Sequence, residues 1–183
     1  VACGEASDTE VLFKSLIHWG VKKTLEVVDG MFAFSFLDGS RDVLYLVRDR
    51  LGEKPMYWSQ RGREFVFASE IKPILASSVA SPHPNLKRID DYFYTGLVNG
   101  KSTIFNDVNE LRPGAVLTLQ LGQLQPSESP YWSLESADPP AAVPDIAALE
   151  DEFLEHLTKN VRSRSVADVD IGILQSGGID SCA

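Results

Sequence analysis

The chain has 183 residues, 44% of them hydrophobic, enough for one sizeable core or two small ones. Its 17 basic and 26 acidic side chains leave a net charge of −9, which opposes the phosphate backbone and excludes nucleic acid as the expected partner. Two cysteines, Cys3 and Cys182, make neither a disulfide framework nor a zinc site, and no apolar run approaches the ~20 residues that cross a bilayer.

In chain order, Ser7-Asp8-Thr9-Glu10 is a capping-box pattern that opens a helix. Leu12, Leu16 and Trp19 follow at helical spacing, and Gly20 is a stop. Leu25 and Val28 predict a second short helix before Asp29-Gly30. Met31 to Leu37 and Val43 to Val47 read as strands joined through Asp38-Gly39, and their apolar density predicts central rather than edge positions. After the charged loop Arg48 to Pro55, Met56-Tyr57-Trp58 and Glu64 to Ala68 form a further hairpin turning near Gly62.

Ser69 to Pro73 opens a helix whose first turn must contain Pro73. Leu86, Ile89 and Phe93 predict another, ending near Gly96. Pro113-Gly114 is a turn before a strand from Ala115 to Leu121, which Gly122-Gln123 returns.

From Ser133 to Asp145 the composition shifts to Ser, Ala, Asp and Pro, as expected of a linker over 133–145. Ile146, Leu149, Phe153, Leu157 and Val161 then share one helix face, with Asp145 as N-cap and Arg162 and Arg164 in the last turn. The run Ile171 to Leu174 reads as a buried strand entering Ser176-Gly177-Gly178-Ile179-Asp180-Ser181. Two adjacent glycines let a ligand approach the backbone, successive N–H groups can line an anion site, and Asp180 offers a hard oxygen for magnesium. The loop has no Walker-type lysine, so amides, hydroxyls and a metal would balance the phosphate charge.

This hexapeptide resembles the S-G-G-x-D-S signature of PP-loop ATP pyrophosphatases. Together with S-D-T-E-V-L (7–12), G-M-F-A-F (30–34), R-D-R-L-G-E-K-P-M-Y (48–57), F-A-S-E-I-K (67–72), L-R-P-G (111–114) and Tyr131-Trp132, it makes an ordered set that resembles glutamine-hydrolysing asparagine synthetases along essentially the whole chain.

The resemblance implies an α+β fold: an incomplete Ntn-hydrolase-type αββα sandwich over 1–132, the C-terminal part of a class II glutamine amidotransferase domain. After the linker, 146–183 would be the first helix and strand of an α/β PP-loop domain. It implies release of ammonia from glutamine and adenylation of aspartate by ATP with magnesium. Asp8 matches the residue that holds the α-amino group of glutamine. Leu174 matches the strand residue whose backbone meets adenine, and Ser176, Gly177, Gly178, Asp180 and Ser181 match the pyrophosphate and magnesium loop, with Asp180 on the metal. A soluble cytoplasmic protein is expected, and a homodimer is left open.

Arg48, Asp49, Arg50 and Lys54 form a charged cluster that we expect to be structural. His18, His83 and His156 receive no role. Cys3 is rejected as the amidotransferase nucleophile: the family's cysteine is N-terminal and lies far upstream of the S-D-T-E helix, whereas four residues separate Cys3 from Asp8 and its amine is in a peptide bond. Gln175 stands where the family carries an apolar residue. Both ends read as cut, so the chain is expected to be an internal fragment that performs neither half-reaction alone. A carboxylate-adenylating relative such as a β-lactam synthetase, or a non-catalytic amidotransferase-like interaction protein, are the alternatives.

Overall fold

The computed structural model describes residues 7–98, 100–123, 125–134 and 145–178. The chain divides into two compact units, Val1–Leu134 and Glu135–Ala183.

In the first unit, α1 (Asp8–Val27) starts where the Ser7 hydroxyl accepts from the Glu10 amide at 3.3 Å. Gly20 breaks the helix with φ 75° and ψ 170°, a conformation that glycine adopts without steric cost, so the expected stop is an interruption rather than an end. Beyond it Thr24 donates back to the Gly20 carbonyl at 2.8 Å and restarts the turn. The buried residues Leu16, Thr24 and Leu25 mark the inward face.

The strands follow as β1 (Ala33–Asp38), β2 (Val43–Arg48), β3 (Tyr57–Arg61) and β4 (Glu64–Ala68). Both expected hairpins form, with Phe34 opposite Val47 in one and Ser59 opposite Val66 in the other. Asp38 shapes the first connection by accepting from the amide and hydroxyl of Ser40. The short helix α2 (Ile71–Ala76) carries Pro73 in its first turn, where no helical N–H is lost. Next, α3 (Leu86–Thr95) is capped by Asn85 and ends at Gly96 with φ 77°. Finally β5 (Asn109–Glu110), β6 (Ala115–Gln120) and β7 (Pro126–Pro130) complete the unit.

Two antiparallel sheets result, ordered β1-β2-β6-β7 and β4-β3-β5. Alternation sorts the side chains into layers. Leu46, Leu117 and Leu119 of the first sheet meet Met56, Trp58 and Leu111 between the sheets. On the first sheet's other face, Val47 and Val116 pack with Leu25 and Val21 of α1. On the second sheet's other face, Tyr57 and Val66 pack with Ile74 of α2 and with Val108. The order of layers is therefore helix, sheet, sheet, helix, as the sandwich reading requires. Each fully buried leucine contributes about 1.5–3 kcal/mol.

One expectation fails here. Among the described residues β1 is an edge strand, not a central one, because the four-stranded order begins with it. Apolar density reports burial of faces, whereas edge or centre depends on which strands pair. The opposite edge, β7, has proline at both ends and turns Glu128 inward, the composition of an edge kept from further pairing.

In the second unit, α4 (Ile146–Arg164) forms as expected, with the Asp145 carboxylate accepting from the Ala147 amide at 3.1 Å. Its apolar stripe is exposed throughout, Phe153 at 64% and Val161 at 55%. The expected strand at Ile171 to Leu174 does not form. These residues have no ladder partners among the described residues, and a strand exists only through such pairing. No helix among the described residues is long and apolar enough to cross a membrane.

Candidate functional site

Asp8 occupies the first turn of α1 and is exposed to solvent. The adjacent helix N-terminus favours its negative charge by about 0.3–1 kcal/mol. An exposed carboxylate at this place has the acceptor chemistry that suits a ligand ammonium group. The Glu10 side chain pairs with Lys14 one turn on, so the first turn is organised by Ser7 rather than by a reciprocal capping box.

The Arg48 to Pro55 loop is densely hydrogen-bonded. Asp49 is 1% exposed. Its carboxylate accepts from the amides of Glu53 and Lys54, both at 2.9 Å, and from those of Leu51 at 3.2 Å and Phe32 at 3.3 Å. Arg48, 7% exposed, spends its guanidinium on the carbonyls of Lys54, Gly52 and Leu111 and on the Glu110 carboxylate at 2.7 Å. These side chains thus satisfy the backbone of a tight turn, as buried polar groups must. Arg48 and Asp49 thus play the expected structural part, with backbone groups rather than ion pairs supplying most of their partners, while Arg50 lies 4.0 Å from the Asp29 carboxylate. Gly52 has φ +70°, and a Cβ there would lie 2.8 Å from the Pro113 ring.

Tyr131 closes the same region by donating its hydroxyl to the Arg48 carbonyl at 3.0 Å. Burial, and secondarily the negative charge of Asp49, pushes its phenol up to about 12, with Arg50 opposing. Burial and the nearby Glu110 carboxylate also raise Tyr57. Glu110 and the Tyr131 hydroxyl escaped the sequence reading. Glu110 lies in a two-residue strand 62 residues from Arg48, too short for periodicity to mark, and Tyr131 had drawn attention only as part of a family stretch.

The predicted nucleotide residues lie in the second unit. Leu174 is 99% exposed. Gly177 has φ +79°, and the Gly178 amide donates to the Ser176 hydroxyl at 3.4 Å. This tight turn of glycine amides and a serine hydroxyl has the donor chemistry that a phosphate requires. Asp180 and Ser181, together with the rejected Cys3, lie outside the described residues. The structure therefore describes part of the expected phosphate loop, and the expected metal ligand is not among the residues described.

The layered α+β unit, with its capped acidic helix start and its Arg-Asp turn, is that of an amidotransferase: the family model for the glutamine amidotransferase domain matches residues 1–132, and the chain belongs to that family. It is 36% identical over 185 residues to asparagine synthetase (glutamine-hydrolyzing) 3 of Bacillus subtilis (strain 168), covering 97% of this chain and 28% of that protein. Against putative asparagine synthetase (glutamine-hydrolyzing) 2 of Methanocaldococcus jannaschii the identity is 32% over 177 residues, covering 96% and 34%. Amidase chry2 of Gibberella zeae is 32% identical over 179 residues, covering 96% and 25%. The chain thus spans only 25–34% of the length of these curated relatives.

Proposed function

We propose that the chain is part of a glutamine-dependent asparagine synthetase. Residues 1–132 belong to the ammonia-supplying domain, 133–145 to a linker, and 146–183 to the start of the adenylating domain. Asp8 holds the α-amino group of glutamine. Ser176, Gly177, Gly178 and Ser181 cradle the pyrophosphate of ATP, Asp180 faces magnesium, and the backbone of Leu174 lies against adenine. ATP supplies activation: adenylation of the aspartate β-carboxylate turns a poor electrophile into one with a good leaving group, which ammonia displaces to give asparagine. Shelter from water keeps that ammonia unprotonated.

The observation that carries this reading is the S-G-G-I-D-S loop at 176–181, which follows the amidotransferase domain on the same chain. The test is an assay of the polypeptide that contains this chain together with its amidotransferase nucleophile. Glutamate formation should depend on glutamine, and pyrophosphate and asparagine should form only with ATP, magnesium and aspartate. Asp8→Ala should raise KM for glutamine at least about tenfold, the loss of one charge-assisted contact. Unchanged KM would remove Asp8 from the site. Pyrophosphate release without aspartate dependence would remove the acceptor assignment.

A second reading keeps the chemistry and changes the acceptor. It is favoured by the 32% identity to a protein named as an amidase. Pyrophosphate release that responds to a different carboxylic acid would select it.

A further inference from the structure

Three segments far apart in sequence meet at Gly114. Its amide donates to the Asp49 carbonyl at 2.8 Å, and its carbonyl accepts from both Tyr131 at 2.8 Å and Trp132 at 3.2 Å. The Tyr131 hydroxyl returns to the Arg48 carbonyl at 3.0 Å, 83 residues away. Packing makes the meeting tight. Gly114 has φ +64°, and a Cβ on it would stand 2.7 Å from the Trp132 carbonyl oxygen. One on Gly52 would meet Pro113. The Asp49 backbone is further fixed by its amide, which donates to Phe32 at 2.8 Å, and its carboxylate holds the amides of Glu53 and Lys54.

From this geometry we infer that Tyr131 is a latch. It joins the Arg48–Lys54 loop to the point where the chain leaves the amidotransferase unit, so that loop and exit open and close as one. The exit is bonded at both of its last amides and at the tyrosine hydroxyl, and each partner belongs to the loop or to the turn that the loop holds. A displacement of the loop therefore cannot leave Trp132 in place without breaking the Tyr131–Arg48 or Gly114–Asp49 bond. Trp132 is also the last residue matched by the family model. Given the two-domain reading proposed above, this exit is where the chain leaves the ammonia-supplying domain. The coupling of loop to exit does not depend on that reading.

Reciprocal amide hydrogen exchange on the full chain tests the latch. Tyr131→Phe removes one hydroxyl and keeps the ring. It should accelerate exchange at Glu53 and Lys54, whose amides are bonded to the Asp49 carboxylate and not to the tyrosine, by roughly two- to tenfold, the worth of one hydrogen bond. Conversely, Gly52→Ala should accelerate exchange at Tyr131 and Trp132 by a similar factor, with Asp49→Asn as the second loop variant if the alanine chain does not fold. Amides of the β3–β4 hairpin should accelerate by less than those of the loop and the exit. Acceleration confined to the substituted segment overturns the latch, and so does equal acceleration in the hairpin, which would report only a global loss of stability. Either result leaves the two-domain reading standing, since that reading is decided by the turnover assays.

Discussion

Replacing Asp49 with alanine removes a carboxylate that accepts from the amides of Phe32, Leu51, Glu53 and Lys54. Hydrogen bonds to a charged group are worth about 1.5–3 kcal/mol each in mutational series. The two 2.9 Å bonds, to Glu53 and Lys54, should dominate, since those to Phe32 and Leu51 are longer and weaker. A site 1% exposed offers little water to replace the lost oxygens. We therefore expect a loss of about 3–5 kcal/mol, a large share of the ~5–15 kcal/mol that holds a domain together. Asparagine keeps one oxygen but turns an NH2 group toward other donors, and should cost about half as much. Urea unfolding is the assay: the midpoint should fall with the slope unchanged, and the melting temperature should drop by roughly 10 °C for alanine. If Asp49→Ala lies within about 0.5 kcal/mol of wild type, the loop is not held by this carboxylate, and the account given for it is wrong.

Other substitutions separate close approach from backbone conformation. Gly114→Ala combines a φ of +64° with a Cβ placed 2.7 Å from a carbonyl oxygen, whereas Gly62→Ala has φ +59° and open space. The second should cost about 1–2 kcal/mol and the first clearly more; equal losses by urea unfolding would show that Trp132 yields freely. Ser59 is fully buried under α2, and its hydroxyl lacks a hydrogen-bond partner among the described residues. Ser59→Ala should be neutral or stabilise by up to about 1 kcal/mol, and a loss above that would reveal a bond the hydroxyl makes in solution. Alkaline titration addresses Tyr131, whose phenol lies near 12 in the fold against 10 when unfolded. The folded state keeps its proton to higher pH, so this contribution is complete below pH 10 and is lost as pH rises from 10 to 12. The group is only partly buried, and solvent screening reduces the effect to about 1 kcal/mol. Tyr131→Phe should flatten the stability profile across that window, and an unchanged profile would contradict the raised phenol.

Much of this molecule is local in origin and could be read from the residues. The Ser7 cap, the Gly20 and Gly96 breaks, Pro73 in a first turn, both hairpins and the stripe of α4 all follow from spacings within about ten residues, and the ordered family stretches pointed to the amidotransferase domain that matches 1–132. What the residues could not reveal depends on partners distant in the chain. The edge position of β1 and the placing of β6 between β2 and β7 are decided by pairing across some 70 residues, to which side-chain alternation is blind. The strand expected at Ile171 to Leu174 did not form because apolar composition supplies no ladder partner. The Arg48–Asp49 cluster shows the division best. Its charges were visible in sequence, but their meaning depended on a glutamate 62 residues away, a tyrosine 83 residues away and the carbonyls of a turn, and only the packed fold brings these within 3.0 Å.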